Sequence, residues 1–373
     1  MQRRSLIRSL PPLALLAGSG VLLAGCGGGG GGGSPAPAPV PPSPPAPTVR
    51  TFAYVANYES ADVSIYQVEA DGTLSPGETA VAGAGAASIA IHPSARFAYV
   101  ANSEEDNVST YTVDAVSGML KPGTPFAAGH RTSKIRIHPS GRFAYVISAD
   151  DNTFQVCSIA SDTGALEGIE TVLVGAGGRA NDIALDVSGR ALYVARSDNR
   201  ISCYEVEDTG NLGAPTTVNA GFAPQALAIA PSGHFLYTAN ADGTVSRHAI
   251  DAVTREPGPP VFEADFDSSW SIAIDPLGRF AFVATLDLEG YGVWAFTIDP
   301  GTGALGSPIR TDSPDGILSM AVTPSGRFVY ATNEAGTVST FEVNEDTGAL
   351  ALMAGSTAAG TSPGGISIVN VAE

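Results

Sequence analysis

Side chains able to hold an anion are concentrated in one part of this 373-residue chain. His130, Arg131, Lys134, Arg136, Arg179 and Arg196 fall within two neighbouring stretches, while Asp265, Asp267, Trp270, Asp312 and Asp315 fall further on. Guanidinium and ammonium groups that converge can grip a carboxylate or phosphate through paired, charge-assisted hydrogen bonds. An aspartate facing them can act as a general base towards water. In that arrangement Arg179 and Arg136 would hold the anion. His130 would be the proton carrier, ahead of Asp267, and Arg131, Lys134, Asp182, Arg196, Trp270 and Asp315 would complete a ligand-binding rim. A plainer arrangement is also open, in which Arg136 pairs with Asp182 or Asp186, Trp270 fills a junction, and the remaining charges are solvated.

Other motifs argue against metal or nucleotide chemistry. His92 and His138 stand in Ile-His-Pro-Ser turns, and the same turn position holds Asp186, Ala230, Asp275 and Thr323 elsewhere, an interchange that reads as turn chemistry. Gly83-Ala84-Gly85 and Gly175-Ala176-Gly177-Gly178 open no helix, so they are not phosphate cradles. Neither a Gly-x-Ser-x-Gly elbow nor a zinc-type His-Glu-x-x-His is present, and neither a metal nor a cofactor is expected.

The elements that must position these residues form a repeat. An aromatic-rich segment returns as Phe52-Ala53-Tyr54-Val55, then from Phe97, Phe143, Ala191, Phe235, Phe280 and Phe328, at offsets of 45, 46, 48, 44, 45 and 48 residues. Each repeat reads as an apolar strand, a Pro-Ser-Gly-Arg-type turn, the aromatic strand, an alternating strand such as Val108 to Val113, and a fourth strand after a Thr-Gly-Ala-Leu-type turn. Short strands at this period predict an all-β, seven-bladed propeller with four antiparallel strands per blade and almost no helix. The chain enters at the aromatic strand and ends with a spare one, Gly365-Ile366-Ser367-Ile368, so the two ends are expected to complete the first blade together. In the innermost strand one column holds Ala90, Arg136, Ala184, Ala228, Ala273, Ala321 and Ser367, small wherever blades converge except at Arg136. Cys157 and Cys203 fall on third strands of neighbouring blades. Facing sheets stand roughly 10 Å apart, so free and mostly buried thiols are expected.

Tyr54-Val55-Ala56-Asn57 and Tyr99-Val100-Ala101-Asn102, with the Pro-Ser-Gly-Arg and Thr-Gly-Ala-Leu turns, resemble the seven-bladed lactonase-like propellers over residues 51 to 371. That family includes propeller-type 6-phosphogluconolactonases and shades into Tyr-Val-Thr-Asn repeat propellers. The resemblance implies the fold, and opening of a lactone as the activity. Of the family's His-x-His, Asp-Leu-Gly-x-Asp and Gly-x-Gly-Pro-Arg-His motifs, the first falls on Arg131-Thr132-Ser133 and the second near Ser148 to Asn152. The third falls on Gly175 to Ala180, so only Arg179 carries over unchanged.

Residues 1–25 read as an export signal: Arg3, Arg4 and Arg8 precede an apolar stretch from Leu13 to Ala24 that is too short to span a bilayer. Leu23-Ala24-Gly25-Cys26 resembles the lipobox of bacterial lipoproteins, which implies acylation of Cys26 and a membrane anchor; Gly27 after it points to the outer membrane. Sec and twin-arginine export both remain open, as does the leaflet. Residues 26–50, with seven glycines and then a proline-rich run, form a tether, and 51–373 form the propeller. Removing three arginines leaves 16 basic against 37 acidic residues, a net charge of 16 − 37 = −21. Such a surface repels nucleic acid and anionic headgroups. A monomer is expected, facing periplasm or cell exterior, with a small anionic ligand or an envelope protein at the propeller mouth. Two activities follow: a ligand- or protein-binding module, or a lactonase for a small anionic lactone.

Overall fold

Period-two alternation and turn residues place strands where expected, but the aromatic segments are apolar on both sides for a different reason. Each is the second strand of a sheet sandwiched between two other sheets, so Phe97–Asn102 and Phe328–Asn333 are buried along their whole length. The computed structural model describes residues 49–175 and 177–372. The export signal, Cys26, the glycine and proline tether and Ala176 lie outside them. The first strand, Val49–Asn57, begins two residues before the expected Thr51.

Seven antiparallel sheets follow one another, and the described residues contain no helix. Blade 2 shows the common order: Ala86–Ile91 innermost, then Phe97–Asn102, Asn107–Val113 and an outer strand split into Leu120–Pro122 and Phe126–Ala127. The innermost strands of blades 3 to 7 are Thr132–Ile137, Ala180–Leu185, Pro224–Ile229, Ser268–Ile274 and Ile317–Val322. Blade 1 takes its innermost strand from the other end of the chain: Pro363–Ala372 pairs with Val49–Asn57, setting Ile366 opposite Val55 and Ile368 opposite Ala53. Every innermost strand abuts the next, and Ile317–Val322 abuts Pro363–Ala372, which closes the ring.

The repeated tyrosines of blades 1, 2, 5 and 7 lock each of those blades to its successor. Tyr54 Oη donates to Gly118 O at 2.9 Å, Tyr99 to Gly164 O at 2.8 Å, Tyr237 to Gly303 O at 2.7 Å and Tyr330 to Gly72 O at 2.7 Å. The acceptors are turn glycines of the following blade. Gly118 has φ +72°, and a Cβ there would overlap the Phe52 ring, so the Thr-Gly turn and the aromatic strand specify one another. Between successive blades too, His92 Nε2 bonds Gly141 O and His138 Nε2 bonds Gly189 O, both at 2.8 Å, while their Nδ1 atoms meet Ser94 and Ser140. Asp186 serves the same turn by accepting from Ser188 Oγ and Ala191 N. These histidines tie blades together.

Candidate functional site: the central channel

The seven innermost strands surround the axis, and their composition decides what the channel can hold. Only three ionisable side chains occur on all seven: Lys134 and Arg136 in blade 3, and Asp182 in blade 4. A cavity of about 350 Å³ opens between blades 1, 2, 3 and 7, lined by Lys134 and Arg136 with Ser88, Ser319, Ser367 and Met320 among its neutral residues. No carboxylate lines it. In a protein this acidic, a cavity with two cations and several hydroxyl-bearing strands is a local reversal of charge.

Arg136 is held from behind. Its Nη2 donates to Asp182 Oδ1 at 3.0 Å, and Nη1 reaches Ile135 O at 3.3 Å. Asp182, 3 % exposed, uses its other oxygen to accept from Leu227 N at 3.0 Å, so one carboxylate ties blades 3, 4 and 5. The guanidinium side chain remains 38 % exposed, enough to present its free N–H groups to the cavity. The Lys134 ammonium has no hydrogen bond or ion pair among the described residues. Desolvation in the narrow channel pushes its ammonium below the usual lysine range; Asp182 opposes that shift and Arg136 adds to it.

The remaining rim residues do not converge on this cavity. His130 Nδ1 meets Asp106 Oδ2 at 2.8 Å, its backbone N donates to Asp151 at 2.7 Å, and its side chain is 74 % exposed between the loops of blades 2 and 3. The hydrogen bond to Asp106, reinforced by Asp151, raises its pKa above the usual histidine value. Arg131 lies on the same surface, 3.7 Å from Asp150. Arg179 is exposed, anchored through its backbone N to Ser197 Oγ at 2.9 Å, and its guanidinium has no partner among the described residues.

Arg196 differs most from the expectation. It is 5 % exposed and gives Nε and Nη2 to Asp198 at 3.0 and 2.7 Å, and Nη1 to Ser202 at 3.2 Å. It does the structural work that Asn57 does towards Ser64 and Asn102 does towards Ser109, and is not offered to a ligand. Trp270 is likewise a junction residue, its indole N–H bonded to Ile317 O of blade 7 and its ring edge-on to Tyr291. Asp267 lines a separate hollow of about 560 Å³ with Asp265, Phe266, Asp287, Leu288 and Trp294. Asp315 is half-buried, its carbonyl accepting from Ser313 Oγ at 2.8 Å. None of His130, Arg179 and Asp267 lines the channel cavity.

Sequence reasoning missed two things here. Asp106, in the hairpin loop of blade 2, is the partner of His130, and nothing in its local pattern marks it. Ser88 and Ser319 join Ser367 at the channel, and the signal was available, since the innermost strands can be aligned residue by residue. A larger hollow of about 640 Å³ lies outside the channel, but it sets Arg190 and Arg255 among Glu205 and Glu256 and offers no net charge to an anion. Cys157 and Cys203 are free and buried, and burial pushes both thiols up to about 12, which leaves them unreactive.

Comparison with known proteins agrees with this architecture. A family model described as lactonase, 7-bladed β-propeller, matches residues 47–273 and 280–371. A search of curated proteins by sequence finds no match. Among solved structures, a candidate 6-phosphogluconolactonase from Bacteroides fragilis is 18 % identical with a TM-score of 0.75, over 86 % of this chain and 98 % of that one. The periplasmic gluconolactonase of Pseudomonas aeruginosa is 18 % identical with a TM-score of 0.74, over 87 % of this chain and 100 % of that one. A protein from Lactobacillus plantarum is 16 % identical with a TM-score of 0.75, over 86 % and 100 %. Likeness at these identities carries the fold alone. From the family match, which spans residues 47–273 and 280–371, the chain belongs to the seven-bladed β-propeller lactonase family.

Proposed function

We propose that this protein is a cell-envelope propeller, anchored through acylated Cys26, that binds a small organic anion in its central channel. The observation that carries this reading is the charge of the channel cavity: Lys134 and Arg136 line it, and no carboxylate does. A carboxylate entering the channel would meet the free edge of the Arg136 guanidinium, with Asp182 behind it fixing the plane. Serine hydroxyls on the facing strands suit a hydroxylated ligand such as an aldonate. The acidic exterior would slow entry at low ionic strength, so binding is expected to have a shallow salt dependence compared with an ordinary basic patch.

Titration calorimetry of the full chain with gluconate tests this, with glucose as the neutral control. Binding of gluconate alone, weakened by Lys134→Met at least about tenfold, supports the reading, since a lost contact of about 1.4 kcal/mol corresponds to that factor. Equal affinity in the variant, or no binding of any small carboxylate, overturns it. A second reading, opening of a lactone, is favoured by the unpartnered guanidinium of Arg179, the residue that matches the family motif, and by the gluconolactonase name of the Pseudomonas relative. It predicts acid release from a lactone panel that falls in Arg179→Ala. Tagging of Cys26 by a fatty-acid analogue, lost in Cys26→Ala, tests the anchor.

A further inference from the structure

Lysine is almost absent from this chain: of 19 basic residues only Lys121 and Lys134 are lysines, and the rest are arginines. Lys121 is an exposed residue of an outer strand, and Lys134 is the one inside the channel. Arginine would serve any purely electrostatic purpose there, as Arg136 does two residues away on the same innermost strand. What lysine adds is an amine that can lose its proton and become a nucleophile.

We propose that Lys134 is a covalent capture site for a small oxo acid, its Nζ condensing with the aldehyde or keto carbon while the substrate carboxylate lies on the Arg136 guanidinium. The inference rests on the anion-binding reading of the channel, and it names the substrate class. In the first step the Nζ lone pair forms a C–N bond, the C=O π pair moves to oxygen, and that oxygen takes up the proton released by nitrogen. Loss of water from the carbinolamine then gives the imine, so amine plus carbonyl yields imine plus water with no oxidant or reductant.

Three features of the surroundings favour this chemistry. Among the described residues, Lys134 has no ion-pair partner that would hold it protonated at contact distance. The charged groups facing it are Arg136 on its own strand, which disfavours the ammonium, and Asp182 on the neighbouring innermost strand, which is already engaged with Arg136 and Leu227 N. The facing strands Ala86–Ile91, Ile317–Val322 and Pro363–Ala372 bring serine, glycine and apolar residues and no titratable group. Desolvation accordingly enriches the neutral amine of Lys134.

The test is reductive trapping on the full chain with cyanoborohydride, which delivers hydride to the imine, using glyoxylate as the anionic probe and propanal as the neutral one. Peptide mapping reads the two lysines separately, so Lys121 is the internal control. Lys134 is expected to label at least about tenfold faster than Lys121 with glyoxylate, and to go on labelling at lower pH. Arg136→Gln should slow glyoxylate and leave propanal unaffected, and Lys134→Arg, checked for folding by circular dichroism, should leave only the slow Lys121 adduct. Equal labelling of both lysines, or equal preference for the two probes, overturns the inference. If calorimetry still shows glyoxylate and gluconate binding while no Lys134 adduct forms, the covalent step is refuted and the anion site stands. If neither binding nor adduct is found, both fall.

Discussion

Asp182→Asn separates the structural role of the channel charges from their binding role, because the two effects have opposite signs. Asp182 holds Arg136 at 3.0 Å and caps Leu227 N at 3.0 Å. An asparagine keeps one acceptor and loses the charge. Breaking a fully buried pair costs about 3–5 kcal/mol, but Arg136 is 38 % exposed and water takes over part of the load, so about 2 kcal/mol is expected here. Unfolding entropy of about 2.1 cal/mol/K per residue, taken over the unit Pro47–Glu373, gives roughly 0.7 kcal/mol/K and hence a melting temperature lower by roughly 3 °C. Binding should move the other way. An anion on the channel side of the guanidinium would stand roughly 8 Å from the Asp182 carboxylate, and at an effective dielectric of about 20 their repulsion is ~2 kcal/mol, about thirtyfold in affinity. Asp182 also supports protonation of Lys134, which returns part of that gain, so a net tightening of about tenfold is expected. Calorimetry with gluconate at pH 6 and a thermal melt read the two effects. A variant that melts lower and binds the anion no better, or worse, would refute the idea that the ligand lies against Arg136.

Three further outcomes follow from the same geometry. Lys134→Met should stabilise the fold: burial puts the folded pKa below the unfolded value, so the penalty is complete below the folded pKa and fades as pH rises towards about 10.4. Melting curves at neutral and alkaline pH should therefore show a gap between variant and parent that closes on the alkaline side. His130 should titrate above about 6.5 by NMR and fall back towards that value in Asp106→Asn. Its bond to Asp106 favours the charged form, so that contribution is whole below the unfolded pKa and lost as pH rises through the folded one. Gly118→Ala should cost about 2–3 kcal/mol, from a left-handed backbone and overlap with Phe52, whereas Gly355→Ala, at φ +83° with nothing nearby, should cost only about 1 kcal/mol; paired denaturant curves check the difference.

The ring was legible because the residues that make it recur. Tyr54, Tyr99, Tyr237 and Tyr330 each reach a turn backbone of the following blade, and the period of the aromatic strand reports one contact repeated around an axis. The departures are as informative as the repeats. Tyr193 donates to Arg255 O where the other turns use glycine, and Arg255 carries the required left-handed backbone at φ 62°. A sequence scan for Thr-Gly turns passes over that position, although the contact is made there too. The pairing of Ile366 with Val55 was legible for the same reason, since a seven-fold pattern missing one inner strand at its start and carrying one at its end has a single closed solution.

The site was only half legible, and the reason lies in direction. Sequence places Lys134 and Arg136 on the innermost strand of blade 3 and Arg196 at the end of the second strand of blade 4, but not whether a side chain turns to the axis or back into its own sheet. Arg196 turns back because Asp198, two residues on, captures it bidentately before any loop can present it. Arg136 has no such neighbour on its own strand; its partner comes from the next blade, which leaves one edge of the guanidinium facing the cavity. Lys134 has neither. The physical distinction among these three cations is therefore how much of each charge is already spent within the fold, and it increases from Lys134 through Arg136 to Arg196. A ligand can use only the remainder, and in this ring that remainder lies in the channel between blades 1, 2, 3 and 7.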